Sequence, residues 1–428
     1  MLKLTSAIII GKLTRTICHL IPSLGGTALP GLIALKLNKN LIKNLVNKNN
    51  LKSIIITGTN GKTTTGRLLA HILKKANISY LHNRTGSNLE RGIASNLISN
   101  SSMKGSLPSQ LAIFEIDEAV VPLLSKVLNP KVILFTNLFR DQLDRYGEID
   151  TILSKWKQTL KTLNNKTTII YNCDDPSLEY LTKETTNKIS FGLNKSHSTT
   201  KPLSASADAI FCLNCHQPLN FTHIFTSHLG HYSCPSCNFK RSVPKVNLNL
   251  KSNLPGIYNL YNLLAAIAIA KSLGINQKTI TKAIKSFTPT FGRGKSFKLK
   301  NLKTKILLVK NPTGYNVILE TLTQNKNFKT SPLLLILNDN IADGTDISWI
   351  WDVHFNYLKY QKAPIIVSGT RANDLKLRLK YAGIQPARTV LAGSIKKALK
   401  ILSNQPGSSA YILPTYTALL KLRKILKS

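Results

Sequence analysis

The chain has 428 residues, more than the roughly 250–300 at which a single hydrophobic core stops growing, so two or three domains are expected. Hydrophobic residues make up 43%, which excludes a disordered chain, and no run reaches the roughly 18 uncharged apolar residues that a membrane span needs. A formal net charge of +39, from 58 Lys and Arg against 19 Asp and Glu, favours anionic partners without choosing among nucleic acid, acidic lipid and phosphorylated substrate.

The amino terminus, MLKLTSAIIIGKLTRTICHLIPSLGGTALPG, begins like a signal peptide. Lys12, Arg15 and His19 interrupt it, and Pro22 and Pro30 break the helix. It is read as a partly amphipathic helix within a segment 1–50. The expected location is cytoplasmic, peripheral at the inner face of the membrane.

Residues 54–65, IIITGTNGKTTT, pass from an apolar β-branched run through glycines to a lysine followed by hydroxyls. That is how a buried parallel strand turns into the phosphate-gripping start of a helix. A standard P-loop has Gly six residues before the lysine, where Ile56 stands here. The loop is therefore the tighter Gly58-Thr59-Asn60-Gly61-Lys62-Thr63, with Thr64 behind it. Its N–H groups are expected to cradle phosphates, Lys62 to neutralise the β and γ oxygens, and Thr63 to hold Mg²⁺. A glycine-rich turn without ligand is the competing reading.

The segment GKTTTGRLLAHILKKA reads as a helix, and QLAIFEID, KVILFTN and TTIIYNCDD as further strands. This alternation predicts a doubly wound parallel α/β sheet with ligands at the strand ends. The sheet is interrupted by Cys212-x2-Cys215 and, eighteen residues later, Cys234-x2-Cys237. Two such knuckles match a closed four-thiolate structural zinc site, a zinc-ribbon insertion at about 205–245. The competing reading is a pair of disulfides. The helix NLYNLLAAIAIAKSLG follows, and the alternation restarts with KILLVKN, PLLLILND, APIIVSG, ARTVLAG and SAYILP. The domains are set at 51–295 for the ATP-binding unit and 296–428 for a second, smaller α/β unit.

Of the 19 acidic residues, 15 fall in four short runs, at 115–118, 141–150, 174–184 and 339–352. Carboxylates concentrated at strand ends in so basic a chain point to metal and ligand contacts, with some helix-start acids among them. Glu115 or Glu118, at or just past the end of LAIFEI, is expected to bind Mg²⁺ directly or through water.

The loop TGTNGKTT resembles the ATP loop of the Mur ligase family, which includes the folylpolyglutamate synthases. TNLFRDQLDRYG, YNCDDP, GIYNLYNLLAA and FGRGK follow in the family's order. The four-cysteine insertion, FRDQLDRYGEID and NDNIADGTDISWIWD are similar to its MurT-type branch, the ligase-like subunits of lipid II isoglutaminyl synthase. The resemblance covers essentially the whole chain and fits the phosphate loop's early position, which leaves no room for a nucleotide-sugar domain in front of it. It favours Glu115 as the metal carboxylate. It adds Asn137, the Asn172, Asp174 and Asp175 strand end, and Asn259, Asn262 and Arg293 to the nucleotide contacts. Asn259 and Asn262 read equally as capping or solvated amides. Asp141-Gln142 stands where most Mur ligases have Asp-His, and Asn83–Asn88 (NRTGSN) is a substrate-loop candidate.

Lysine and Mg²⁺ suit attack of a carboxylate on the γ-phosphate, giving an acyl phosphate that an amine displaces. The resemblance makes the carboxylate the α-carboxyl of D-glutamate in the lipid II stem peptide, the nucleophile ammonia and the product D-isoglutamine. No Cys–His glutaminase site is visible, so a glutamine amidotransferase subunit is the implied partner, in a heterodimer. The resemblance implies an aspartate given to that partner: Asp352 in WIWDVHF leads, with Asp343 and Asp346 as alternates. Trp349 and Trp351 suit an interface or a core. The competing functions are folylpolyglutamate synthase, which does not predict the cysteines, and a zinc-ribbon nucleic-acid-binding ATPase. The latter predicts stacking aromatics among basic residues, and none are visible, so no nucleic-acid partner is expected.

Overall fold

The computed structural model describes residues 2–20, 27–84, 87–140, 149–194, 207–247, 254, 256–288 and 292–426. Three leading helices, Leu2–Leu20, Leu29–Leu37 and Leu41–Lys48, pack beside the helix Glu90–Asn100. The approach is closest at Gly31, where a Cβ would lie 1.9 Å from the Arg91 carbonyl, so only glycine fits.

The first sheet contains β1 (Lys52–Thr57), β2 (Leu81–His82), β3 (Leu111–Glu115), β4 (Pro130–Phe135), β5 (Thr168–Asn172) and β6 (Lys188–Phe191). All pairings are parallel, in the order β2-β3-β1-β4-β5-β6. Because side chains alternate along a strand, Ile54, Ile56 and Ile113 face one layer and Ile55, Phe114 and Phe135 the other. The first layer is covered by the helices Lys62–Lys75 and Ile257–Ser272, the second by Glu90–Asn100, Val121–Leu128 and Ile149–Thr162. The chain crosses over on either side of β1, and the register sets Ile56 opposite Glu115 and Thr57 opposite Phe135. Open α/β sheets bind ligands at such a switch point.

The insertion is an antiparallel hairpin, β7 (Asn220–Thr226) and β8 (Leu229–Ser233), with a small core of Leu219, Tyr232 and Phe239 beside the cysteines.

The second sheet contains β9 (Arg293–Leu299), β10 (Leu302–Leu307), β11 (Leu333–Ile336), β12 (Ile365–Ser368), β13 (Thr389–Leu391) and β14 (Ser409–Pro414). Its order is β13-β12-β11-β14-β10-β9, parallel except for β9. The division expected after residue 295 falls inside β9, since Arg293 already pairs with Leu307. The glycines and lysines of FGRGKSFKL hide that strand from a hydrophobic pattern. No helix among the described residues is long and apolar enough to cross a membrane.

Candidate functional site

The loop after β1 is held by the end of β4. Asn60 donates its backbone N–H to Asn137 Oδ1 at 2.9 Å, and the Asn60 carbonyl accepts from Thr136 Oγ1 at 2.8 Å and Asn137 Nδ2 at 3.2 Å. Gly58 has φ +118° and Gly61 φ +93°, and a Cβ on Gly61 would sit 2.2 Å from Asn262 Oδ1. Both positions therefore require glycine. The helix Lys62–Lys75 starts here, and its first N–H groups have no partner within the helix, the arrangement that binds anions.

Around this helix start stand three carboxylates and a histidine. Thr63 Oγ1 donates to Glu115 Oε2 at 2.7 Å, and His82 Nε2 lies 3.1 Å from Glu115 Oε1. His82 Nδ1 is buried without a hydrogen-bond partner, and Nε2 is the ring nitrogen that donates to Glu115. Asn83 fixes the same residue from behind, accepting the Glu115 N–H and donating to its carbonyl, both at 2.9 Å. Gly66 makes the crowding possible, as a Cβ there would lie 3.1 Å from His82 Nε2 and 3.2 Å from Glu115 Oε1. Burial alone would raise the Glu115 pKa, but hydrogen bonds from His82 and Thr63 and the charges of His82 and Arg293 outweigh it and hold the carboxyl below its ordinary value. Lys62 Nζ donates to the Gly58 carbonyl at 2.5 Å and pairs with Glu118 Oε1 at 2.8 Å. Asp117 caps the short turn Glu118–Val120 by accepting from the Ala119 N–H.

A cavity opens between the two sheets beside this loop. Its walls include Asn60, Gly61, Thr64 and Asn137 from the first sheet, Tyr258, Asn259, Tyr261 and Asn262 from the helix Ile257–Ser272, and Arg293, Lys310 and Asn311 from the second. Asn311 bridges the cleft, donating from Nδ2 to Asn60 Oδ1 at 3.2 Å while it caps the helix Pro312–Thr323. The hairpin of the insertion supplies Thr226 and Leu229 to the same cavity. His228 at the hairpin tip is fully buried, 4.6 Å from the ring of the cavity residue Phe139 and 3.7 Å from Asp175 Oδ1. The ribbon is thus part of the cavity wall.

Of the expected nucleotide contacts, Asn60, Gly61, Thr64, Asn137, Asn259 and Arg293 line the cavity, and Lys62, Thr63 and Glu115 adjoin it. Several of the other expected residues have protein partners in this structure. Thr59 spends its hydroxyl on the loop, accepting from the Phe139 N–H at 2.9 Å and donating to its carbonyl at 3.0 Å. Glu118, expected at magnesium, is paired with Lys62. Asp174, expected at the nucleotide, is fully buried away from the cavity. Its carboxylate takes Arg241 Nε at 2.6 Å, the Leu193 N–H at 2.8 Å and Tyr261 Oη at 2.8 Å, so it clamps the insertion to the sheet edge. Asp175 caps the helix Pro176–Leu181 and accepts the Leu138 N–H at 2.8 Å. Asn259 and Asn262 are buried, which removes the solvated-amide reading. Asp141, Gln142 and Asp144, with Thr85 and Gly86 of the substrate-loop candidate, lie outside the described residues.

Residues the sequence did not single out are His82, Tyr258, Phe139 and Asn311. His82 sits on a two-residue strand too short to show a pattern, and Asn311 acts through a contact with a loop 251 residues away.

The four ribbon cysteines are free thiols, and their sulfurs all lie within 4.8 Å of one another, with Cys212 and Cys237 at 3.6 Å and Cys215 and Cys234 at 3.3 Å. A tetrahedral zinc with bonds of about 2.3 Å fits among four such sulfurs.

Asp352 ends the short turn Ser348–Asp352 on an exposed surface, its carbonyl accepting from Asn316 Nδ2 at 3.1 Å. Trp351 is half-exposed beside it, with Arg378 5.4 Å from its ring and Tyr381 packed edge-on. Trp349 instead packs toward Tyr315 in the core. Asp343 is buried, accepting the Thr417 N–H at 2.8 Å at the start of the helix Tyr416–Ile425. Asp346 is spent on Ser348.

A short phosphate loop on a parallel sheet, facing a second α/β unit across a cavity, places the chain in the Mur ligase class of ATP-dependent ligases. The model of the Mur ligase middle domain matches residues 56–270, and that of the MurT ligase C-terminal domain matches 308–419. The MurT subunit of lipid II isoglutaminyl synthase (glutamine-hydrolyzing) from Staphylococcus aureus strain COL is 35% identical over 97% of this chain and 95% of its own length. Its counterpart from Streptococcus pneumoniae strain R6 is 31% identical over 94% and 93%. Among solved structures, a pseudomurein peptide ligase type C from Methanothermus fervidus superposes with a TM-score of 0.66 at 22% identity, over 90% of this chain and 80% of that one. The folylpolyglutamate synthase of Mycobacterium tuberculosis, complexed with ADP, shares the fold with a TM-score of 0.60 at 13% identity, over 90% and 93%. The chain belongs to the MurT family.

Proposed function

We propose that this chain is the ligase subunit that amidates the α-carboxyl of D-glutamate in the lipid II stem peptide, with ammonia released from glutamine by a separate glutaminase. The observation that carries the chemistry is the convergence of Lys62, Thr63 and Glu115 on one helix start beside the cavity. The substrate rests on the names of the full-length relatives.

In this reading the cavity takes ATP, with Asn259 and Arg293 on the nucleoside side and Gly61 and Thr64 N–H groups at the phosphates. Thr63 and Glu115 offer hydroxyl and ionised carboxylate oxygens, the donors that magnesium takes, and the ion would supply charge neutralisation at the phosphates. Lys62 exchanges Glu118 for a phosphate oxygen. The substrate carboxylate oxygen bonds to the γ-phosphorus as the bond to ADP breaks, and ammonia then attacks the acyl carbon as phosphate leaves. The ribbon cysteines hold a structural zinc. Asp352, on its open surface beside Trp351, serves the glutaminase partner.

The test is product mass after incubation with ATP, lipid II and ammonium, and separately with glutamine and the partner. Amidated lipid II is expected in both. ATP turnover stimulated by nucleic acid in place of lipid II would overturn the reading.

A further inference from the structure

The helix Leu2–Leu20 is apolar on two opposite faces. Ala7, Ile8 and Gly11 turn inward, with Gly11 against Ala34 and Ile98. On the other side Ile9, Ile10, Leu13, Ile17 and Leu20 are between 38% and 76% exposed. At about 100° per residue these five fall within one arc of about 100°, a complete helical stripe. Lys12 and His19 border it on one edge and Lys3 on the other. The adjoining helix adds exposed Leu32, Leu37 and Lys36.

The charge around this stripe has one sign. Residues 1–89 contain no Asp or Glu, the first acid being Glu90, whereas Lys3, Lys12, Arg15, Lys36, Lys39, Lys43 and Lys48 lie in the leading helices and their connections. An aliphatic stripe rimmed by basic groups is what an anionic lipid surface takes up, the aliphatics entering the acyl boundary and the basic heads staying at the phosphates. A second copy of the chain would bring like charge to the same face. The adjoining helix is fixed to the body of the first domain, Gly31 donating its N–H to Ser95 Oγ at 2.7 Å in the helix Glu90–Asn100.

We infer that the outer face of Leu2–Leu20 docks this protein onto an anionic bilayer, with Ile9, Ile10, Leu13, Ile17 and Leu20 inserted and Lys3 and Lys36 at the headgroups. The inference deepens the peripheral location expected of a lipid II ligase and rests on that reading only for which membrane is met.

The test is co-sedimentation of the full chain with phosphatidylglycerol-rich and with pure phosphatidylcholine vesicles, both free of lipid II and nucleotide, so that failure of the amidation assay leaves it standing. Binding to the anionic vesicles alone is expected, weakening as salt rises. The variant Ile9→Ser/Leu13→Ser/Ile17→Ser should lose at least about tenfold in partitioning with its far-UV circular dichroism and melting temperature unchanged. The variant Lys3→Gln/Lys36→Gln, which leaves every aliphatic in place, should lose the preference for anionic lipid. Wild-type binding by the serine variant, no binding by the wild type, or a lipid-independent dimer that the serine variant abolishes would each overturn the inference.

Discussion

Lys62 Nζ and Glu118 Oε1 are 2.8 Å apart, with both side chains nearly buried. The cation expected at the phosphates is thus held in place by a carboxylate that must give way when an anion arrives. Lys62→Ala should lower amidation by at least about a hundredfold, because a developing phosphoryl charge loses its counter-charge. It should also cost up to about 3 kcal/mol of stability, because the nearly buried Glu118 loses its cation. Adding Glu118→Gln should restore the denaturation midpoint and not the activity; recovery of both would remove Lys62 from the chemistry.

Glu115 gives a pH prediction with a definite sign. Its folded pKa is depressed, so its stabilising contribution is fully present above the ordinary glutamate value of about 4.3 and is lost as pH falls through the lower folded value. Urea denaturation of the wild type and of Glu115→Gln should differ at pH 7 and converge as the pH drops below about 4. A constant difference across that range would show that the charge contributes nothing.

The ribbon reaches the cavity through Thr226, Leu229 and the buried His228. Loss of its fold should therefore reach the nucleotide. Cys234→Ser, or prolonged chelation, should weaken ATP binding about tenfold in calorimetric titration, with KM rising more than kcat falls. Unchanged affinity in a protein whose cysteines hold no metal would reduce the insertion to a passive appendage.

Asp352 and Asp343 should separate cleanly. Asp352→Asn is expected to leave ammonium-driven amidation intact and to abolish glutamine-driven amidation in the presence of the partner. Asp343→Ala should instead lower stability by about 1 kcal/mol, because Asp343 caps the helix Tyr416–Ile425 through Thr417. Equal loss on both nitrogen sources for Asp352→Asn would exclude the interface role.

Some of this was legible in the amino-acid order because it depends on local chemistry. Ile54 to Lys62 had to become a buried strand, a glycine turn and a helix start, since β-branched residues, left-handed glycines and the lysine each allow little else. The cysteine spacing likewise announced a four-sulfur cluster, and the apolar runs from KILLVKN to SAYILP announced a second sheet.

Which carboxylate meets the loop was decided only by the tertiary structure. Glu115 and Asp174 both stand at or just past strand ends, yet the strand order puts β3 beside β1, while Asp174 follows β5 and is claimed by Arg241 and Tyr261. His82, Asn311 and the hairpin tip came to the site in the same way, through packing between segments far apart in sequence. Local propensity selects strand or helix; which strand ends become neighbours is settled by burying both faces of the sheet at once, a condition no short stretch of residues contains.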